Sequence, residues 1–306
     1  MNIKNLYIMN IKNLVKKAYS HLFQTMPGEM TMKRFWSCYR LVANRYLNGH
    51  YDLTMLRPEN AKTDEGGQNI FVYWNNGFDT APKVVKRCLK TIEANVPKGW
   101  QLHIITDENL KQYVMMPDFV EEMVENGKMC RANYSDILRL ALLWHYGGLW
   151  LDATCLLTGD IPQIILDSPL FLFNNKELWQ TTPFLFETWV MRSVPGNYII
   201  GRVLENLLCY FLHCNKPRAI YFVCYYMLSA LYLRDNKAKE LFDNMPWWYA
   251  KDSFLMQIGY GLNRTVSDQQ WQYVLGKSFV QKLKYQYPQE WNEGTDTIIG
   301  RVLREK

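Results

Sequence analysis

Long apolar runs are missing from this chain of 306 residues. The most apolar stretch, Ala219 to Leu233, holds 15 residues. As a helix it would extend about 22 Å, short of the roughly 30 Å hydrocarbon core of a bilayer. A spanning helix is excluded there, which leaves a core helix or an aromatic helix lying at a membrane interface. No secretory leader is expected, because Asn and Lys interrupt the N-terminus before an apolar region develops. Cysteine is sparse. The seven cysteines are irregularly spaced, odd in number and without a C-x-x-C pair, which argues against a disulfide framework or a zinc site and for reduced thiols in a cytosol. The sequons at Asn133 and Asn263 carry no meaning in that compartment.

Acid is nearly absent from one region only. Residues 1 to 50 hold eight Lys and Arg against a single acid, Glu29, a net of +7, while the whole chain carries +6. The remainder is therefore close to neutral. Within this basic segment Ile3, Leu6, Tyr7, Ile11, Leu14, Val15, Ala18, Leu22 and Phe23 recur at helical spacing with lysines between them. That pattern predicts an amphipathic helix, suited to an anionic membrane surface or to packing on the rest of the protein. MNIKNL occurs twice, at residues 1 to 6 and 9 to 14, too short a repeat to build a solenoid.

What is present points to one stretch, RANYSDILRLALLWHYGGLWLDATCLLT at residues 131 to 158. Asn133 is expected as an N-cap, and from Ile137 to Trp144 every residue but Arg139 is apolar, so the helix is buried nearly all round. Asp136 and Arg139, spaced i, i+3, share one face of it. Gly147 and Gly148 end the helix, and LWLDATCLL then reads as a strand. Its period of two puts Trp150, Asp152 and Thr154 on one side. Open α/β sheets bind ligands at such strand ends. The bland alternatives are an i, i+3 ion pair for Asp136 and Arg139 and a turn residue for Asp152.

The pattern S-D-I-L-R, seven residues, then G-G-L-W-L-D-A-T resembles the core of the bacterial capsular polysaccharide synthesis glycosyltransferases, relatives of glycosyltransferase family 32 and the large clostridial toxin enzymes. The likeness extends to IFVYWNNGFDTAPKVVKRCLKTI (70 to 92), LHIITDEN (102 to 109) and KSFVQKLKYQYPQEWNEGT (277 to 295), and covers roughly residues 66 to 295. It implies an α/β, GT-A-like nucleotide-sugar-binding fold over residues 61–306, with a basic helical arm over 1–60 and a mixed helical and strand C-terminal part. It also implies sugar transfer, with retention, from a nucleotide-diphosphate donor, most often a UDP-sugar, to a hydroxyl of a surface glycan or lipid-linked glycan.

By the same resemblance Asp136, Arg139 and Asp152 form the catalytic and donor-binding set, Trp74 stacks on the base, and Asp152 and Thr154 stand at the metal positions of a D-x-D pair. Threonine replaces the second acid there, and Mg2+ or Mn2+ prefers carboxylate oxygen. Either a weak metal site or a cationic substitute is expected, with Lys282 the first candidate. Lys282 and Lys284 alternate with apolar neighbours and read otherwise as a solvated strand face; Asp107 reads as a turn or cap residue rather than a site residue. Nothing implies a nucleic-acid partner, and the expected location is cytoplasmic, peripheral on the plasma membrane through the arm. Two other classes stay open: a binder that has lost catalysis, and a membrane-associated assembly component.

Overall fold

The computed structural model describes residues 32–63, 66–175, 184–213, 219–288, 290–291 and 296–304. Its elements, in chain order, are α1 Met32–Arg45, β1 Asn69–Tyr73, α2 Lys83–Ala94, β2 Gln101–Ile105, α3 Asp118–Glu125, α4 Arg131–Tyr146, β3 Gly148–Leu151, β4 Cys155–Leu157, α5 Gln163–Leu166, β5 Leu170–Asn174, β6 Phe186–Ser193, α6 Tyr198–Leu212, α7 Val223–Arg234, α8 Asn236–Asp243, α9 Asp268–Leu275, β7 Val280–Lys282 and α10 Ile298–Arg304.

Five strands form one sheet in the order β2-β1-β3-β6-β5. β2, β1 and β3 run parallel, while β6 and β5 are antiparallel to their neighbours. The residues of β1 and β3 are all buried, as expected of strands covered on both faces. Phe71, Tyr73, Trp150 and Met191 face a core shared with α1, α4, α6 and α7. Ile70, Val72, Leu149, Leu151 and Val190 face a second core containing residues of α2, α9, α10 and the small β4-β7 sheet.

From β1 the chain crosses to β2 on one side, then returns to β3 on the other. That reversal makes the carboxyl ends of β1 and β3, where Trp74 and Asp152 follow the two strands, the topological switch point at which open α/β sheets bind ligands.

The double glycine has a specific reason. Gly147 and Gly148 both adopt positive φ, 62° and 109°, and a Cβ on Gly148 would lie 2.3 Å from the carbonyl oxygen of Asn69. Only glycine lets the chain turn from α4 into β3 this close to β1.

Two expectations need correction. α4 begins at Arg131 with Cys130 in the N-cap position; Asn133 lies inside the helix, where its Nδ2 donates to the carbonyl of Tyr221 at 2.9 Å. A distant backbone acceptor has taken the side chain that would have capped the turn. LWLDATCLL is two strands, because the Asp152 amide bonds the Trp189 carbonyl and the Cys155 amide closes a turn onto the Asp152 carbonyl at 2.8 Å. β4 then leaves the central sheet to pair with β7. The described part of the expected arm packs on the rest of the protein. Phe35, Tyr39, Val42 and Ala43 of α1 are buried, with Phe35 edge-on to Phe184 and Phe222 at 5.4 and 6.3 Å between ring centroids. The amphipathic helix expected nearer the N-terminus lies outside the described residues. Ala219 to Leu233 is largely α7, its Val223, Tyr226, Met227 and Leu228 buried, so the core-helix reading holds.

Candidate active site

Arg139 is the hub of the crevice. Its Nη1 lies 3.3 Å from Asp136 Oδ1 and its Nη2 3.2 Å from Asp152 Oδ1. The same guanidinium donates to the carbonyl and hydroxyl oxygens of Thr188 on β6 at 2.7 and 2.6 Å, and to Ser135. Trp150 lies beneath it, 5.1 Å from guanidinium carbon to ring centroid, close enough for a cation–π contact. Five donors in a rigid fork suit arginine to this post.

Asp152 spends both oxygens inside the protein. Oδ1 accepts from the Trp150 indole at 2.8 Å as well as facing Arg139; Oδ2 accepts from Lys282 Nζ at 2.9 Å. Lys282 also donates to Thr154 Oγ1 at 2.5 Å. Its reach follows from register. β7 pairs antiparallel with β4, Cys155 opposite Lys282, and the Leu283 amide bonds the Thr154 carbonyl at 3.0 Å. Residues 128 and 130 positions apart in sequence are thus held on adjacent strands, a closeness that no local pattern encodes.

The four charges differ in how well they are answered. Burial pushes the Asp152 carboxyl up, but Lys282 and Arg139 overcome this and leave it below the usual carboxylate range. Burial pulls Lys282 and Arg139 down, yet the facing carboxylates hold both above their ordinary values. Asp136 is the exception. Burial raises it to about 7, Arg139 offsetting only part of the cost and Asp152 adding repulsion. A buried carboxyl that leans on one ion pair is poorly satisfied, and a hydroxyl-bearing ligand would satisfy it. The side chains of Asp152 and Lys282 remain 22% and 18% exposed, so a ligand can reach the cluster.

Asp136, Arg139, Asp152, Thr154 and Lys282 therefore lie together in one cluster. Trp74 stands at the end of the neighbouring strand, half-buried, its ring edge-on to Tyr285 at 5.0 Å. Lys284, by contrast, is exposed and rests over Trp291. Asp107 lies outside the cluster; it accepts from Tyr73 and pairs with Arg131 at 2.9 Å.

Sequence reasoning missed Thr188, Tyr225 and Glu187. Glu187 is a buried acid one residue from Thr188, held by Asn175, the Trp189 indole and the Tyr225 hydroxyl, and burial raises its carboxyl. A single acid in the otherwise apolar strand run FETWVM was the available signal.

An open cleft of about 490 Å³ lies elsewhere, lined by Tyr51, Trp144, Asn197, Tyr198, Arg202 and Glu205 among others. Trp144 is near the end of α4 and Asn197 follows β6, whose last residue pairs with the start of β3, so the cleft lies at the opposite end of the strands from Asp152. Volume is a poorer guide to chemistry here than charge.

A mixed sheet, with two parallel and two antiparallel pairings, helices on both faces and buried charges at its switch point, defines an α/β protein. The profile described as "Capsular polysaccharide synthesis protein" matches residues 29–302, and the chain belongs to that family. It is also similar to the "O-glycosyltransferase braB" of Annulohypoxylon truncatum, 27% identical over 137 residues, 42% of this chain and 31% of that protein. The "O-glycosyltransferase PaGT" of Phomopsis amygdali is 24% identical over 159 residues, 48% and 37% of the two chains. The chain thus matches about a third of the length of these curated relatives. Among solved structures, the "PaToxG Glycosyltransferase" covers 80% of this chain, and is itself covered over 95%, at 15% identity and a TM-score of 0.39.

Proposed function

We propose that the chain is a glycosyltransferase of GT-A-like organisation. It moves a sugar from a nucleotide-diphosphate donor, a UDP-sugar, to a hydroxyl of a surface polysaccharide or its lipid-linked precursor, with retention at the anomeric carbon. The observation that carries this reading is the buried Asp136–Arg139–Asp152–Lys282 cluster at the switch point, together with the family assignment and the names of the relatives.

The chemistry needs little covalent help. The bond between C1 and the diphosphate oxygen breaks, its electron pair leaves with the nucleotide, the acceptor oxygen bonds C1, and the acceptor proton ends on the departing phosphate or solvent. Asp136 receives hydrogen bonds from sugar hydroxyls, Arg139 orients the sugar and faces the diphosphate, Asp152 fixes Arg139, and Trp74 stacks on the base. The work is positional and electrostatic.

Screening a panel of nucleotide sugars for thermal stabilisation identifies the donor, and UDP release with and without a glycan acceptor tests transfer. An enzyme releases UDP with acceptor and slowly with water; a degenerate binder, the reading that Thr154 favours, is stabilised without release. The basic segment adds peripheral attachment to an anionic membrane through residues 1 to 24. Deleting them should abolish flotation with anionic liposomes, and high salt should release the intact chain.

A further inference from the structure

A divalent ion on the strand-end acid does not fit the residues present. Among the described residues no group of three or more His, Cys, Asp and Glu side chains could hold one. Asp152 has both oxygens committed, and the Thr154 hydroxyl, a weak ligand in any case, accepts from Lys282. The ammonium of Lys282 bridges Asp152 and Thr154, the two positions between which a chelated ion would sit.

We propose that Lys282 stands in the place of the divalent ion, so that the donor diphosphate is bound and its departing charge neutralised at the Lys282 ammonium, with the charge of the buried Arg139 behind it, without metal. This rests on the nucleotide-sugar reading above and specifies its cation. Two side chains flanking one carboxylate bring two positive charges to the crevice, as many as one Mg2+ or Mn2+. Their geometry is fixed by the scaffold. Lys282 is pinned by the β4-β7 register and the Leu283–Thr154 bond; Arg139 is pinned by Thr188, Ser135 and the Trp150 ring. Lysine binds phosphate as a point charge, and the ammonium, already partly exposed, can exchange Thr154 for a phosphate oxygen, while Arg139 keeps its protein partners and adds charge from behind. Glu187, the other buried acid nearby, is occupied by Asn175, Trp189 and Tyr225 and offers no free ligand pair.

The test uses the full chain and UDP as probe, with binding measured by calorimetry in EDTA and in millimolar Mn2+. Wild type is expected to bind UDP equally in both, within about twofold. Lys282→Met should weaken binding by about tenfold or more in both, and Lys282→Arg should retain metal-independent binding. The double variant Thr154→Asp with Lys282→Ala rebuilds an acid pair and should bind UDP in Mn2+ far better than in EDTA, with nucleotide-dependent Mn2+ binding visible by electron paramagnetic resonance. Melting curves check that each variant is folded; if Lys282→Met does not fold, the wild-type comparison still decides. Loss of about tenfold or more in wild-type affinity on adding EDTA overturns the proposal, as does wild-type affinity in folded Lys282→Met. A wild type that binds neither UDP nor any other nucleoside diphosphate in either buffer overturns the donor reading itself.

Discussion

Strands β1 and β3 carry a buried polar cluster at each end, and the two are built in opposite ways. At the amino end, Thr63 donates to Asn69 Oδ1 at 2.8 Å, His103 Nε2 lies 2.9 Å from the same oxygen, and the His103 ring stacks on Phe71. Amide, hydroxyl and imidazole answer one another, the inexpensive way to bury polarity. At the carboxyl end two carboxylates, a guanidinium and an ammonium are crowded together. Buried ion pairs seldom repay their desolvation, and apolar groups of similar volume often stabilise as well. A fold seeking stability alone would repeat the first solution. The second suits the nucleotide-sugar donor proposed above.

The largest expected effect follows from removing the carboxylate that Arg139 and Lys282 share. Asp152→Asn leaves Arg139 and Lys282 without their shared counter-charge, so transfer should fall by about a hundredfold or more. Stability should fall as well. Its carboxyl is held below the ordinary range, so its contribution is present above the unfolded pKa and is lost as pH falls through the folded one. Activity at matched folded fraction, with melting curves at pH 7 and pH 3, checks both; a wild-type melting temperature at pH 7 with full activity would dissolve the contrast between the clusters.

Asp136→Asn should separate the two properties. Donor-site hydrogen bonds to a charged group are worth about 1.5 to 3 kcal/mol, so kcat/KM should drop roughly ten- to a hundredfold. Stability should move the other way. With the carboxyl raised to about 7, the folded chain keeps a proton that the unfolded chain has released between about pH 4 and pH 7. The native carboxyl therefore costs stability increasingly as pH rises through that window. At pH 8 the variant should be more stable by on the order of 2 kcal/mol, and near pH 4 the gain should vanish. At the other end, Asn69→Ala should cost about 2 kcal/mol by removing the amide oxygen that Thr63 and His103 share, with activity per folded molecule unchanged. Denaturant melts and pH-dependent assays of both variants measure this asymmetry.

How much of this was legible follows from the range of the interactions. Asp136 and Arg139 were visible because their spacing is local and their surroundings uniformly apolar, and Asp152 because a double glycine and a strand announce it. Lys282 was visible only as a basic residue in a family-like segment; its place beside Thr154 depends on β4 pairing with β7 across more than a hundred residues. The break in LWLDATCLL was hidden for the same reason, since β-propensity cannot tell one strand from two strands in different sheets. Asn133 was misread because the Tyr221 carbonyl that claims it lies 88 positions away. The burial of α1 against Phe184 and Phe222 was equally beyond local pattern.

The smallest effect expected is in the pH profile, and it bears most directly on the role of Asp136. The value of kcat/KM reports ionisations of the free enzyme. If Asp136 accepts from sugar hydroxyls as a carboxylate, kcat/KM should rise with pH through about 7 and level off above, because only the ionised fraction offers all its lone pairs. The total rise between pH 6 and pH 8 is about tenfold for one such group. Asp136→Asn should lack this limb while keeping any other ionisation, and His103→Gln, at the far cluster, should retain it. A rise near pH 7 that survives in Asp136→Asn would assign the titration to another group, and a profile that falls from pH 6 to pH 8 in wild type would show that the carboxyl acts in its protonated form.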